Sequence, residues 1–247
     1  MGIRKEKIIG YLTESWSKER ILTGLVIALT FHTVIGYPLV SVIGSSVAIQ
    51  LTNNFVLFVV LLLGLFALTQ HNITRIVLGG MILLAISVRS ARFVFGAHWL
   101  RGWDTLPSLV ASIAFVGITM RYAYKEGPVT SQRIQAAVAG YLLIVQAFSL
   151  GYMLISFLTP GAFGFADKTP NIDDPRFDYI LHYFSISTIT TLGYGDIVPV
   201  HPFARTLATA EALVGQLFPA ILLARLVSLS VVDRERTHKQ KKNPPSR

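Results

Sequence analysis

Apolar residues in this chain come in long runs separated by short polar connectors. A helix that crosses a bilayer needs roughly 20 mostly apolar residues. Six segments fit that length, at about 22–44, 54–70, 74–95, 105–122, 134–159 and 203–232. The second is the shortest and borrows residues from the 44–53 connector. A further stretch, FDYILHYFSISTITT (177–191), is too short to span and mixed in polarity. An apolar segment of that size reads as a re-entrant helix. Its Ile180, Phe184 and Ile186 are set to pack, with Ser185, Ser187 and Thr188 pointing elsewhere. The pattern predicts an all-α membrane protein with six transmembrane helices. A re-entrant helix and an extended segment lie between the fifth and the sixth.

Composition supports a membrane class. Of the 247 residues, 52% are hydrophobic and 14% charged, against about 25% charged in a soluble domain. The formal net charge of +9 would raise nucleic-acid binding in a soluble protein. Here the basic residues sit in connectors and tails, so no nucleic-acid partner is expected. Cysteine is absent, which excludes disulfides, thiolate catalysis and Cys-ligated metal. The first twenty residues hold no apolar core, so a cleaved signal peptide is not expected.

Lys and Arg in short connectors set orientation. The N-terminal tail, Arg75, the 121–133 connector and the C-terminal tail carry most of them, whereas the 45–53 loop has none. Both termini are therefore predicted to be cytoplasmic, which needs an even number of spans. The protein is expected in the cell membrane, with lipid as a partner. Four parts follow: a cytoplasmic segment at 1–20, a four-helix domain at 21–125, a second helical domain at 134–232 and a basic tail at 233–247. Within the first part, Ile8, Leu12 and Trp16 recur at spacing four. That suits either a helix lying on the inner membrane surface or an ordinary basic tail. The KQKKNPPSR tail reads as disordered, weakly attracted to anionic lipid.

The least regular backbone lies between the last two apolar segments, at ITTLGYGDIVPV (189–200). Gly193 and Gly195 weaken either a helix or a strand there. Irregular chain at membrane depth is tolerated only inside protein or against a watery cavity. A short helix ending there aims its negative dipole end at the membrane interior, which favours a cation. Glycines let consecutive carbonyls point the same way, and stacked carbonyl rings can replace the hydration shell of an alkali cation.

TTLGYGD, Thr190 to Asp196, resembles the selectivity filter of tetrameric potassium channels, with Leu192 where valine is usual. Tyr183 and Phe184 stand where the family often has an aromatic pair. Pro199 and Arg205 follow the filter, and Gly215 falls where the inner helix carries its hinge glycine. The likeness covers about 135–232. It implies a pore domain at 134–232, with potassium as the permeant ion and no cofactor. The carbonyls of Thr191, Leu192, Gly193 and Tyr194, with the Thr191 hydroxyl, are implied as ion ligands. Gly195 is implied as the turn at the outer mouth and Asp196 as the acid bracing the filter. Ser187 replaces a glutamate common in the family's pore helix. One chain offers one filter strand, so a homotetramer with three identical subunits is implied.

Other features leave alternatives open. The fourth segment has no arginine before Arg121, so the usual voltage-sensing array is missing. Arg89 and Arg92 in the third share a face. They lie roughly 20–25 Å above Arg75 at 1.5 Å per residue, either paired with Asp104 or giving a weak voltage response. Glu211 is an intramembrane acid, either a buried structural partner or an influence on cation occupancy. Gly215 and Pro219 make either a gating swivel or a static kink. Arg225 suits lipid headgroups or a pair across the gate. A non-selective cation channel would share the fold, but the intact GYG argues against it. A transporter would show paired broken helices, and six scattered histidines with no GxSxG or HExxH leave an enzyme without a site.

Overall fold

The structure, a computed structural model, describes residues 20–36, scattered positions between 51 and 69, and then 71–95, 101–125, 130–166, 169–172, 174 and 176–242. All but the last residue of the expected surface helix at 5–20, the last third of the first apolar segment and much of the second lie outside the described residues.

Helix α1 is Arg20–Ile35, and its final turns widen into a π-helix at His32–Gly36. Next come α2 (Asn72–Phe95), α3 (Arg101–Ala123) and α4 (Ser131–Leu158). Strand β1 (Phe163–Phe165), helix α5 (Arg176–Ile189), strand β2 (Ile197–Pro199) and α6 (Pro202–Lys242) complete the order. Among the described residues, four helices are long and apolar enough to cross a membrane: Asn72–Arg92, Gly102–Ala123, Ser131–Leu158 and Pro202–Arg225. Their outward faces carry exposed side chains such as Ile76, Leu84, Ile113 and Leu217, which a lipid environment accommodates.

Two differences from the sequence reading appear. Helix α6 runs on to Lys242, so the first four residues of the expected disordered tail are helical. Lys and Arg are good helix formers, and no glycine or proline intervenes before Asn243 and Pro244. The second difference is a two-stranded antiparallel ribbon in a chain expected to be all helix. Phe163 pairs with Pro199, Gly164 with Val198 and Phe165 with Ile197. Hydrogen bonds from Ala166 N to Asp196 O (2.8 Å) and from Val200 N to Ala162 O (2.9 Å) extend it at both ends.

The helices share two cores, and α4 serves both. Its N-terminal half places Ala139 and Leu143 with Leu22, Leu25 and Leu29 of α1, Leu78 of α2 and Phe115 of α3. Its C-terminal half places Leu150, Tyr152 and Met153 with Phe177, Leu181 and Phe184 of α5, Phe163 and Ile197 of the ribbon, and Ala204 of α6. Ala136, Ala137, Ala139 and Gly140 are all buried on α4. Small residues let helix backbones approach closely where burial of apolar surface gives little drive between helices. Helix α4 is thus the post on which α5, the ribbon and α6 are hung.

Candidate functional site

Helix α5 begins where the Asp174 carboxylate accepts the backbone N–H of Arg176 at 2.8 Å, satisfying one of the free donors of a helix start. Phe177, Leu181 and Phe184 form its buried stripe. Phe184 meets Tyr152 and Phe163 edge to face, with ring centroids 5.0 Å and 5.4 Å away.

The helix ends in a tightened turn, with Thr191 N donating to Thr188 O at 2.9 Å. Alternate residues then take left-handed backbone: Thr191 at φ 58°, Gly193 at φ 58° and Gly195 at φ 80°. Glycine accepts this freely. A β-branched threonine does not, and such a conformation costs about 1–3 kcal/mol where surrounding contacts enforce it.

Those contacts converge on Ser187. Its carbonyl accepts from Leu192 N at 2.9 Å and Gly193 N at 3.2 Å. Its hydroxyl accepts from Tyr194 N at 3.4 Å. In a planar trans peptide the C=O of one residue points opposite to the N–H of the next. Three successive N–H groups turned toward Ser187 therefore turn the carbonyls of Thr191, Leu192 and Gly193 away from α5. Beyond them, the Tyr183 and Tyr194 rings stack at 6.0 Å. Arg205 Nε donates to Pro199 O at 3.1 Å, fixing the exit of this segment to the start of α6.

Ser187→Ala removes only the longest of the three tethers. Losing one net hydrogen bond of about 0.5–1.5 kcal/mol is expected to keep the loop's shape but shorten its stable dwell. Hydrogen exchange of the Tyr194 backbone amide, faster in the variant than in the parent, checks this.

Glu211 is fully buried on α6. Tyr152 Oη donates to its Oε2 at 2.5 Å, and Ser185 Oγ to its Oε1 at 2.5 Å. Ser185 Oγ also lies 3.0 Å from Val145 O. The carboxyl thereby joins α4, α5 and α6 behind the turned loop. One turn on, Gly215 is buried against the last residue of α5. A Cβ at this position would stand 2.7 Å from the Ile189 carbonyl carbon and 3.0 Å from its Cα, with the carbonyl oxygen nearer still. Tyr141 Oη reaches the same Ile189 carbonyl at 3.4 Å. Pro219 lies exposed inside a helix that is continuous through both residues.

Arg225 differs from the expectation of lipid contact. Its guanidinium donates to Tyr124 O at 2.6 Å and Lys125 O at 3.3 Å and lies 4.6 Å from the Tyr124 ring centroid. The exposed carbonyls at the end of α3 attract a cation, so α6 is fastened to the α3–α4 connector. Arg89 and Arg92 pair with Asp104, at 3.5 Å and 3.2 Å.

Sequence reading points to 191–196, Glu211, Gly215 and Pro219, and all but Pro219 gather around the C-terminal end of α5. It does not single out Tyr152, and it names Ser185 and Ser187 without the hydrogen bonds they make. The signal was present: a buried acid needs donors, and Ser185 was the intramembrane hydroxyl placed to reach it. Among the described residues no cluster of three or more His, Cys, Asp or Glu could hold a metal ion.

A family model described as "Ion channel" matches residues 152–231, the stretch from Tyr152 through the loop and most of α6. Protein LctB of Bacillus caldotenax is 32% identical over 133 residues, covering 46% of this chain and 93% of LctB. The chain belongs to the ion channel family. It is accordingly a multi-pass membrane transport protein and not an enzyme. Shorter likenesses join it to potassium channels by name. The inward rectifier potassium channel Kirbac3.1 of Paramagnetospirillum magnetotacticum is 49% identical over 39 residues, covering 16% of this chain and 13% of that one. Two pore potassium channel a of Oryza sativa subsp. japonica is 30% identical over 88 residues, covering 35% of this chain and 25% of that one. The chain thus spans a small part of either potassium channel's length. No solved structure matches it.

Proposed function

We propose that this protein is a potassium-selective channel subunit, four copies of which surround one pore. The observation that carries the reading is the loop after α5. Its N–H groups face Ser187 and its Thr191, Leu192 and Gly193 carbonyls face away. In a fourfold arrangement those carbonyls, with Tyr194 O and Thr191 Oγ1, form stacked oxygen rings that replace a potassium ion's water. Helix α5 serves as the re-entrant pore helix, its C-terminal dipole aimed at the entering cation. Gly195 and Asp196 close the outer mouth. Leu192 and Tyr194 are 57% and 64% exposed in one chain, as expected of groups that meet neighbouring copies or the pore.

Six spans, lipid around them and both termini on the cytoplasmic side of the cell membrane complete the proposal. It is supported by the basic connectors and by the names of the two potassium channels that the chain resembles over short stretches. Planar-bilayer recording of purified protein tests it. In mixed sodium and potassium, the reversal potential should follow the potassium gradient. A reversal potential insensitive to replacing potassium by sodium would point to a non-selective pore. A native mass other than four subunits would remove the fourfold arrangement.

A further inference from the structure

Four charged side chains join the outer end of α2 to the first turns of α3 and α5. Arg92 of α2 is 5% exposed. Its Nε lies 3.2 Å from Asp104 Oδ2, in the first turn of α3. Its Nη2 lies 3.1 Å from Asp178 Oδ2, in the first turn of α5. Arg89 Nε stands 3.5 Å from the same Asp104 oxygen. Two cations therefore face two carboxylates, and pairing of this kind is what makes the burial of Arg92 and Asp104 tolerable. Both carboxylates also sit where a helix's N-terminal dipole favours an anion.

We propose that Arg92 is a positioning residue for the conduction site, holding the N-terminal end of α5 to the preceding helices. The inference rests on the reading of α5 and 190–196 as pore helix and filter. Helix α5 has 14 residues, a rigid rod of about 21 Å at 1.5 Å per residue. Its far end carries Ser187, which holds three filter N–H groups, and Ile189, against which α6 is seated. Packing joins α5 to α4 and α6. The reach from α2 is made by the Arg92 guanidinium. A tilt at Asp178 is carried along the rod to Ser187, because a helix of this length bends little.

The chemistry is specific to arginine. A planar guanidinium presents Nε and Nη2 along different directions, so one side chain engages two carboxylates on two helices. A lysine ammonium at the same place keeps the charge but not the fork. Arg89 is the internal comparison: its ion pair with Asp104 ties α2 to α3, whereas Arg92 reaches α5 as well.

The test uses full-length protein in planar bilayers, with Arg92→Lys, Asp178→Asn, the double variant and Arg89→Lys. Asp178→Asn leaves the Arg92–Asp104 pair in place, so it keeps the test usable if Arg92→Lys does not assemble. Arg92→Lys and Asp178→Asn are expected to shift the filter's open-to-closed ratio about tenfold, a typical coupling between linked sites. The double variant is expected to be no worse than either single one, since both break the same link. Arg89→Lys should behave as the parent. Assembled Asp178→Asn channels with parental open times and selectivity would overturn the proposal. So would additive effects, or a changed voltage dependence with an unaltered filter. Failure of the parent itself to select potassium would instead overturn the proposed function.

Discussion

Gly215→Ala is expected to disable the protein by destabilising it, beyond any change in how often it opens. The added methyl has no room. Its nearest neighbours are the carbonyl oxygen, carbonyl carbon and Cα of Ile189, all backbone, and backbone cannot rotate aside as a side chain does. Overpacking a well-fitted interior usually costs about 1–3 kcal/mol, and a clash with main chain belongs at the upper end. The displaced element is the last residue of α5, directly before the turned loop. A glycine serving only as a hinge predicts otherwise. Alanine favours a helix over glycine by about 1 kcal/mol, so a hinge substitution would leave stability intact and stiffen α6. Gly117, on α3, makes the control, because a methyl added there meets nothing within 4 Å. Thermal unfolding of purified Gly215→Ala, Gly117→Ala and parent protein decides. A melting temperature of Gly215→Ala equal to the parent's would remove the close-approach role and favour the hinge.

The architecture was legible where periodicity and length are decisive. Helices α2, α3 and α4 begin and end within a few residues of the apolar runs that predict them, because apolar length alone decides a span. The motif was legible too, since few sequences place two glycines around a tyrosine between apolar helices. The ribbon was not. Three-residue strands carry too little pattern, and Phe163 and Ile197 meet only after α5 has turned the chain back. Ser187 is hidden for a related reason. Its work is done mainly by its carbonyl, which no side-chain pattern reveals. Gly215 is visible as a glycine, but the neighbour that makes it necessary lies 26 residues earlier in the chain, so spacing along the helix suggests a hinge. Arg225 suggests a lipid contact because the carbonyl end of α3 that receives it leaves no mark in a side-chain pattern.

Glu211 is the second position where a large effect is expected, and counting hydrogens separates its two possible roles. Glu211→Leu leaves the buried Tyr152 and Ser185 hydroxyls without their acceptor. Ser185 has an alternative in Val145 O, 3.0 Å away. Tyr152 Oη, which donates to Glu211, carries the loss, about 1–3 kcal/mol for a buried donor left unpaired, in addition to any misfit of the leucine. Glu211→Gln should be far milder. Its amide oxygen accepts from Tyr152, its NH₂ donates to Ser185 Oγ, and Ser185 turns its own proton to Val145 O. Adding Tyr152→Phe to Glu211→Leu removes the stranded hydroxyl and should recover part of the lost stability. That recovery is the mark of a hydrogen-bonded strut, since deleting a second residue ordinarily does further harm. An electrostatic role toward the permeant ion predicts a different ranking. Glu211→Gln would then keep the fold but lower unitary conductance, because the carboxylate's charge is gone. Unfolding midpoints of the three variants, with single-channel conductance of Glu211→Gln, distinguish the two. The enclosed site, with donors from α4 and α5 aimed at separate oxygens, favours the strut and parental conductance for Glu211→Gln.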